Sequence, residues 1–368
     1  MRVVIDAAPL LIRSAGVKNY LYHWITHLRR AAGPDVIRTY PELQDLGPLK
    51  HDASVAGRWR TATGLAGLAL SNYTPLPVLD ILTRGADIFH ASVLVRHPPR
   101  RPRLTSTLHD MTCWIMPELH PNSNVRDNRG SRELLRRADR LIAVSECTRR
   151  DAIRVLGISP DKITAIHSAI AQEFFDTDAE AVKAVRVRYR LNRPFVLFIG
   201  TVEPRKNLDT LLNAFEALPP SVREEFELVV AGPIGWAEAG TIARLRSIHY
   251  LGYVPEPDVP ALTAAATVFA YPSLYEGFGF PVAQAMAAAV PVVTSNVSAL
   301  PEIAGDAALL IDPRSQNELR DALARLLLSP DSRARLAARG RARALQFRWE
   351  TCATKSLQFF QEVAGSRL

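Results

Sequence analysis

Three cysteines in 368 residues, Cys113, Cys147 and Cys352, are too few and too scattered for a disulfide framework or a zinc site. They point to a reducing compartment. No run of 18 apolar residues occurs. The nearest, TGLAGLALSNYTPLPVLDIL, is broken by Pro75 and Pro77, which excludes a membrane span there. The chain opens directly on a strand pattern, RVVIDAAPLL, without the basic and apolar regions of a signal peptide. No G-x-G-x-x-G follows an early strand, so a dinucleotide-dependent oxidoreductase ranks last among the readings. No nucleic-acid motif is present, and no convincing pair of carboxylates for a double displacement.

Charge is present but unevenly spread. The net charge is +8, and residues 1–175 hold all of it, with 24 Lys and Arg against 16 Asp and Glu; residues 176–368 hold 21 of each. A basic first half suits an anionic partner, and a lipid surface or lipid phosphate fits better than nucleic acid. The plainer reading is arginine used for solubility.

Short β-branched runs alternate with amphipathic stretches along the whole chain. RVVIDA, DIFHA, LTSTLHD, LIAVS and ITAIH read as strands of one half; FVLFIGT, FELVVAG, HYLGYV, TVFAYPS, VPVVTS and AALLID read as strands of the other. Buried strands alternating with helices imply parallel sheets covered on both faces. The length suits two such domains. The spacing predicts a first domain over 1–175, a polar linker over 176–192, a second domain over 193–345, and a C-terminal helix over 346–368 packing back toward the first. Asp176-Thr-Asp178 has the Asp-x-Asp form that can hold a cation, but at a domain junction after QEFF it reads as a solvated turn, and no metal site is expected. Ser145, in SECTRRD, reads as the N-cap of the following helix.

Open parallel sheets bind ligands beyond the carboxyl ends of their strands. Three loops in the second half fit that position. In FVLFIGTVEPRKNLDTLL a strand ends at Gly200, and Arg205 and Lys206 stand at the start of the next helix. Two cations there suggest an anion to be neutralised, and a diphosphate fits. In TVFAYPSLYEGFGFPVAQAMAAA, Gly277 and Gly279 permit close approach of backbone to a ligand, Pro281 opens a helix, and Glu276 offers a carboxylate to hydroxyls. A buried carboxylate in that place needs a ligand or a cation to satisfy it. The third loop follows VPVVTS, and the strand end HYLGYV offers backbone groups at Tyr253 and Val254 to a base.

Together these stretches resemble the retaining glycosyltransferases of GT-B architecture, glycosyltransferase family 4, and its bacterial mannosyltransferase-like members in particular. The resemblance rests on VIDAAPLLIRSAGVKNY, LHDMTCWIMPELHP, ADRLIAVSECTRRDAI, FIGTVEPRKNL, VVAGPIGW, HYLGYVPEPDVPAL, YPSLYEGFGFPVAQAMAAAVPVVTSNVSALPEIAGDAALLIDP and QFRWE, in that order from about residue 3 to 350. It implies two doubly wound Rossmann-like α/β domains facing across a cleft. It implies that Arg205 and Lys206 neutralise the donor diphosphate, that Glu276 binds hydroxyls of the transferred sugar, and that the Gly277-Phe278-Gly279 backbone lies against that sugar. His109, in LHD, would approach the sugar from the first domain. Gly16, in the loop SAGVKNY, would line the cleft close to the donor phosphate or the acceptor, and Gly200 would line the donor site.

The sequence departs from the family pattern at Gln284, where a second glutamate would hold the ribose hydroxyls. A glutamine can still bind a diol, but without charge its bonds are weaker, so donor binding is expected to be weakened but not abolished. The reading is transfer of a sugar, taken as mannose from GDP-mannose, with retention and without a metal or cofactor. The donor, GDP- or UDP-linked, is a substrate. The acceptor is a glycan or a lipid-linked hydroxyl, in cell-surface polysaccharide or glycolipid synthesis, with the protein cytoplasmic and peripheral at the inner face of the membrane. Two alternatives stay open. One is a weakened or inactive sugar-nucleotide-binding protein of the same fold. The other is a sugar-nucleotide epimerase, for which acid/base residues are not evident.

Overall fold

The computed structural model describes residues 1–14 and 16–365. The chain divides into two units. The first comprises Met1–Ala169 and the helix Trp349–Gly365; the second is Ile170–Arg348.

The first unit is built on six parallel strands: β1 (Val3–Asp6), β2 (Ile37–Tyr40), β3 (Ile88–Ala91), β4 (Arg103–Leu108), β5 (Arg140–Ala143) and β6 (Ile163–Ala165). Their order is β2-β1-β3-β4-β5-β6. β1 (VVID) and β3 (IFHA) are buried throughout, as strands covered by helices on both faces must be. Five of the six strands match the sequence expectation. β2 is additional; its IRTY carries an arginine in four residues and pairs only with β1, at the sheet edge. The helix Trp349–Gly365 packs on the helix Gly16–Ala32, where Trp24 Nε1 donates to Ser356 Oγ at 2.9 Å and His23 stacks on Trp349. Ser145 caps the helix Glu146–Leu156 by accepting from the Thr148 amide at 3.0 Å.

The second unit has the six strands expected: β7 (Phe195–Ile199), β8 (Glu227–Ala231), β9 (His249–Gly252), β10 (Val268–Tyr271), β11 (Val292–Ser295) and β12 (Leu309–Ile311). All are parallel, in the order β12-β11-β10-β7-β8-β9. This is the doubly wound Rossmann order, with its switch point between β7 and β10. The chain leaves β7 for β8 and β9 on one side, then returns to β10 on the other.

The stretch 176–192 is not a free linker. Residues Ala179–Arg188 form a helix that packs on the helix Val259–Ala264 inside the second unit. Arg188 and Tyr189 both bond Asp258. Only Val185 of that helix is buried, so its composition is polar although its structure is regular. Asp178 is its N-cap, accepting from the Ala181 amide at 2.6 Å. Among the described residues no helix is long and apolar enough to cross a membrane.

Candidate active site

At the switch point of the second sheet, two loops bring four charged side chains together. After β7 the chain makes a short turn, Pro204–Lys206, and Asn207 adopts a left-handed conformation before the helix Leu208–Glu216. The Asn207 side chain holds the turn in place, its Nδ2 donating to the carbonyls of Pro272 and Pro313. After β10 the chain runs through Ser273–Gly279 into the helix Phe280–Ala287. That helix starts at Phe280, one residue before Pro281, which takes its second position.

Lys206 Nζ donates to Glu276 Oε1 at 2.6 Å, and Ser273 Oγ to the same oxygen at 2.8 Å. Arg205 Nη1 lies 3.0 Å from that oxygen and donates to the Tyr275 carbonyl at 2.7 Å. Its Nη2 donates to Glu203 Oε1 at 2.7 Å. The four charged side chains are at most 12% exposed, so these are not screened surface pairs. The cluster is neutral: two cations face two carboxylates. Of the ligand or cation that a buried Glu276 needs, the protein itself supplies the cation, as Lys206 and Arg205. The hydrogen bonds from Lys206 and Ser273 both end on Oε1 of the Glu276 carboxylate.

Burial alone would raise the Glu276 carboxyl. Lys206 and Arg205, with the hydrogen bonds from Lys206 and Ser273, instead bring it down to about 2. Burial and the neighbouring Arg205 lower the Lys206 ammonium, against the pull of Glu276 and Glu203. Glu276 is thus the firmly ionised member of the pair. Lys206 also sits 5.2 Å over the Tyr271 ring.

The glycines at this point are steric requirements. Gly279 has φ +93°, and a Cβ there would lie 2.8 Å from Leu300 Cδ2. Gly232, after β8, has φ +136°, and its Cβ would lie 2.0 Å from the Gly200 carbonyl oxygen. Gly200, the first residue after β7, which ends at Ile199, is thus held against a second loop. The Phe278 side chain is core, edge-on to Phe280 and Phe347. Gln284 is half-buried in the helix Phe280–Ala287, and its side chain makes no hydrogen bond among the described residues. Tyr253 and Val254 follow β9, two strands from β7, with Tyr253 exposed and Val254 buried.

The first unit repeats the pattern. Its order changes direction between β1 and β3, and a cavity lies at the carboxyl ends of those strands and of β4. It is lined by Asp6, His90, Ser92, Thr107 and His109 with apolar Val17, Leu21 and Val93. Its room for a water-sized centre is about 20 Å³, enough for one hydroxyl or water. Asp6 accepts from Ser92 Oγ and from the Ala8 amide, and burial raises its carboxyl to about 6. His90 bonds the hydroxyls of Thr105 and Thr107, both at 3.0 Å. Desolvation brings His109 down to about 4, partly offset by Asp110. Its ring is edge-on to Tyr20. Gly16 is the first residue of a helix rather than part of a loop, with open space where a Cβ would stand.

Residues 184–343 match the family described as Glycosyl transferases group 1, and residues 14–174 match Glycosyltransferase Family 4. The O-antigen chain mannosyltransferase B of Escherichia coli is 38% identical over 274 residues, covering 72% of this chain and 71% of that protein. The chain belongs to glycosyltransferase family 4. The serotype-specific mannosyltransferase WbdA of Escherichia coli is 25% identical over 84% of this chain, which spans only 40% of WbdA. Anabaena HepE, solved in complex with UDP-glucose, superposes with a TM-score of 0.74 at 18% identity, covering 98% of this chain and all of the other. WaaG, a lipopolysaccharide glycosyltransferase, superposes at 0.68 and 16% identity, covering 99% and 100%. These likenesses establish the GT-B fold.

Several residues around this candidate site carry no role in the sequence analysis. Glu203 stands two positions before Arg205 and neutralises it; the acid was visible in VEPRKN but only the cations were read. Ser298 Oγ accepts from the Glu276 amide at 2.9 Å, across 22 residues that no local pattern links. Gly232 closes the strand pattern FELVVAG and lies in VVAGPIGW, but neither stretch gives it a role. Asp6 lies in the strand pattern RVVIDA and in the VIDAAPLL stretch of the resemblance, neither of which gives it a role.

Proposed function

We propose that this glycosyltransferase moves mannose from GDP-mannose to a hydroxyl of a glycan or lipid-linked acceptor, with retention of anomeric configuration and without a metal. The observation that carries the reading is the buried Glu203–Arg205–Lys206–Glu276 cluster at the switch point of the second sheet. The sugar is suggested by the mannosyltransferases among the relatives, and a nucleoside diphosphate donor by the UDP-glucose bound to HepE.

In this reading Glu276 Oε2 accepts from hydroxyls of the transferred sugar while Oε1 stays on Lys206. As the bond from the anomeric carbon to the diphosphate breaks, negative charge grows on the departing phosphate and positive charge on the sugar ring. Arg205 and Lys206 stabilise the first, aided by amides at the start of the helix Phe280–Ala287, and the carboxylate balances the second. The acceptor oxygen forms the new bond on the same face, and the leaving phosphate takes its proton, so no separate base is required. The acceptor is assigned to the basic first unit, in cell-surface polysaccharide synthesis at the inner face of the membrane.

The test is incubation of the purified protein with GDP-mannose and candidate polyprenyl-linked glycans. Release of GDP together with an α-mannosylated product, unaffected by a chelator, is the expected result. Failure with every nucleotide sugar, despite binding, would favour the inactive binding protein, for which Gln284 is the argument.

A further inference from the structure

The helix Arg58–Tyr73 turns an apolar side to solvent. Its buried positions are the small or modest residues Gly64, Leu68 and Ser71. The opposite side, at helical spacing, carries Trp59, Ala62, Ala66, Leu70 and Tyr73. Trp59 is 86% exposed and Tyr73 71%, and Leu76, Ile81 and Leu82 in the segment that follows are all more than half exposed. The short helix Val78–Leu82 packs on the first, near Gly67, so the two stretches form one surface. From Thr61 to Leu79 there is no charged residue. A monomeric protein rarely leaves so much contiguous apolar surface without an occupant.

The borders of this face are basic. Arg58 and Arg60 flank Trp59. At the other end Arg96 lies 5.1 Å over the Tyr73 ring, with its amide donating to Asn72 Oδ1, and the Arg100 amide donates to Asp80 Oδ1. Residues 58–103 hold seven arginines against two acids, Asp80 and Asp87.

We propose that this face lies in the headgroup region of an anionic phospholipid bilayer. Its apolar side chains reach the acyl boundary, Trp59 and Tyr73 sit at headgroup level, and the surrounding arginines pair with lipid phosphate. Charge decides for this occupant: a rim of arginines complements a phosphate surface and repels a second copy of the same rim. The helix, about 24 Å long with arginines at its start, lies along the membrane and does not cross it. The inference deepens the lipid-linked acceptor proposed above and rests on it only for its purpose; binding is scored without any sugar transfer.

The full chain should sediment with vesicles of phosphatidylglycerol mixed with phosphatidylcholine at low salt, and much less with phosphatidylcholine alone or at high salt. The variant W59S/L70S/I81S should lose about tenfold or more in vesicle affinity while keeping its circular dichroism spectrum and its transfer to a water-soluble acceptor. R58Q and R96Q should each weaken binding by roughly fivefold, on anionic vesicles only. Absence of sedimentation with anionic vesicles at low salt, or unchanged binding by the triple variant, overturns the proposal. Self-association without lipid that the triple variant abolishes also overturns it, and gives the face to a second copy.

Discussion

Lys206 Nζ lies 2.6 Å from Glu276 Oε1, so the loops after β7 and β10 are joined by a buried ion pair at the point where the sheet order reverses. The pair both holds the site together and presents it. Removing one partner leaves the other charge buried and poorly compensated. Glu276→Gln should therefore cost about 3–5 kcal/mol of stability as well as transfer activity. Comparing Lys206→Met, Glu276→Gln and the double variant in denaturant unfolding measures the coupling. If the double variant is no more stable than the sum of the single losses predicts, the pair is not coupled as described.

Gly232→Ala tests the support of the site and not its chemistry. The substitution forces a non-glycine residue to φ +136° and places Cβ 2.0 Å from the Gly200 carbonyl oxygen, a backbone atom that cannot rotate away. A loss of roughly 3 kcal/mol or more is expected, read from unfolding of the second unit. Gly16→Ala, where a Cβ meets nothing within 4 Å, should leave folding nearly unchanged and serves as the control.

The sequence carried the α/β class, both sheets and most of the strands, because buried parallel strands are short apolar runs between helical patterns. It was less informative where local composition and tertiary role part ways. Ala179–Arg188 reads as polar linker because a single residue of it is buried, yet it belongs to the second unit. β2 is a short edge strand with an arginine in it. At the site, Arg205, Lys206 and Glu276 could be found from strand–loop–helix punctuation alone. Their pairing could not, because it joins positions 70 residues apart. The neutrality of the cluster therefore had no counterpart in a reading that counted two cations and waited for a diphosphate.

Asp6 makes a pH prediction. Folded, it releases its proton near pH 6; its ordinary value is 3.8. Between these values the folded chain holds the proton more tightly, so this group's contribution to stability is full below about pH 3.8 and is lost as pH rises to 6. Asp6→Asn has no such loss. Its stability relative to the parent should climb from about pH 4 to pH 6 and level off, by roughly 3 kcal/mol in all. His90 and His109, lowered to about 3 and 4, act oppositely: their contribution is full above pH 6.5 and is lost on acidification. They are common to both proteins and cancel in the difference curve. A flat difference between pH 4 and 7 would mean Asp6 is not protonated in its cavity.

Gln284→Glu addresses the departure from the family pattern directly. The side chain is half-buried in the helix Phe280–Ala287 and makes no hydrogen bond among the described residues, so a carboxylate there disturbs no bond among them. If this position holds the ribose, a charged acceptor should bind the diol more strongly than the amide does, since charge-assisted hydrogen bonds are roughly twice as strong. One such gain corresponds to about three- to tenfold tighter nucleotide binding. The measurement is calorimetric titration of both proteins with GDP and with mannose 1-phosphate. Nucleotide affinity should rise while any affinity for the sugar phosphate, which has no ribose, stays constant. Equal affinity of the two proteins for GDP would remove Gln284 from the donor site and, with it, the argument that the donor is weakly held.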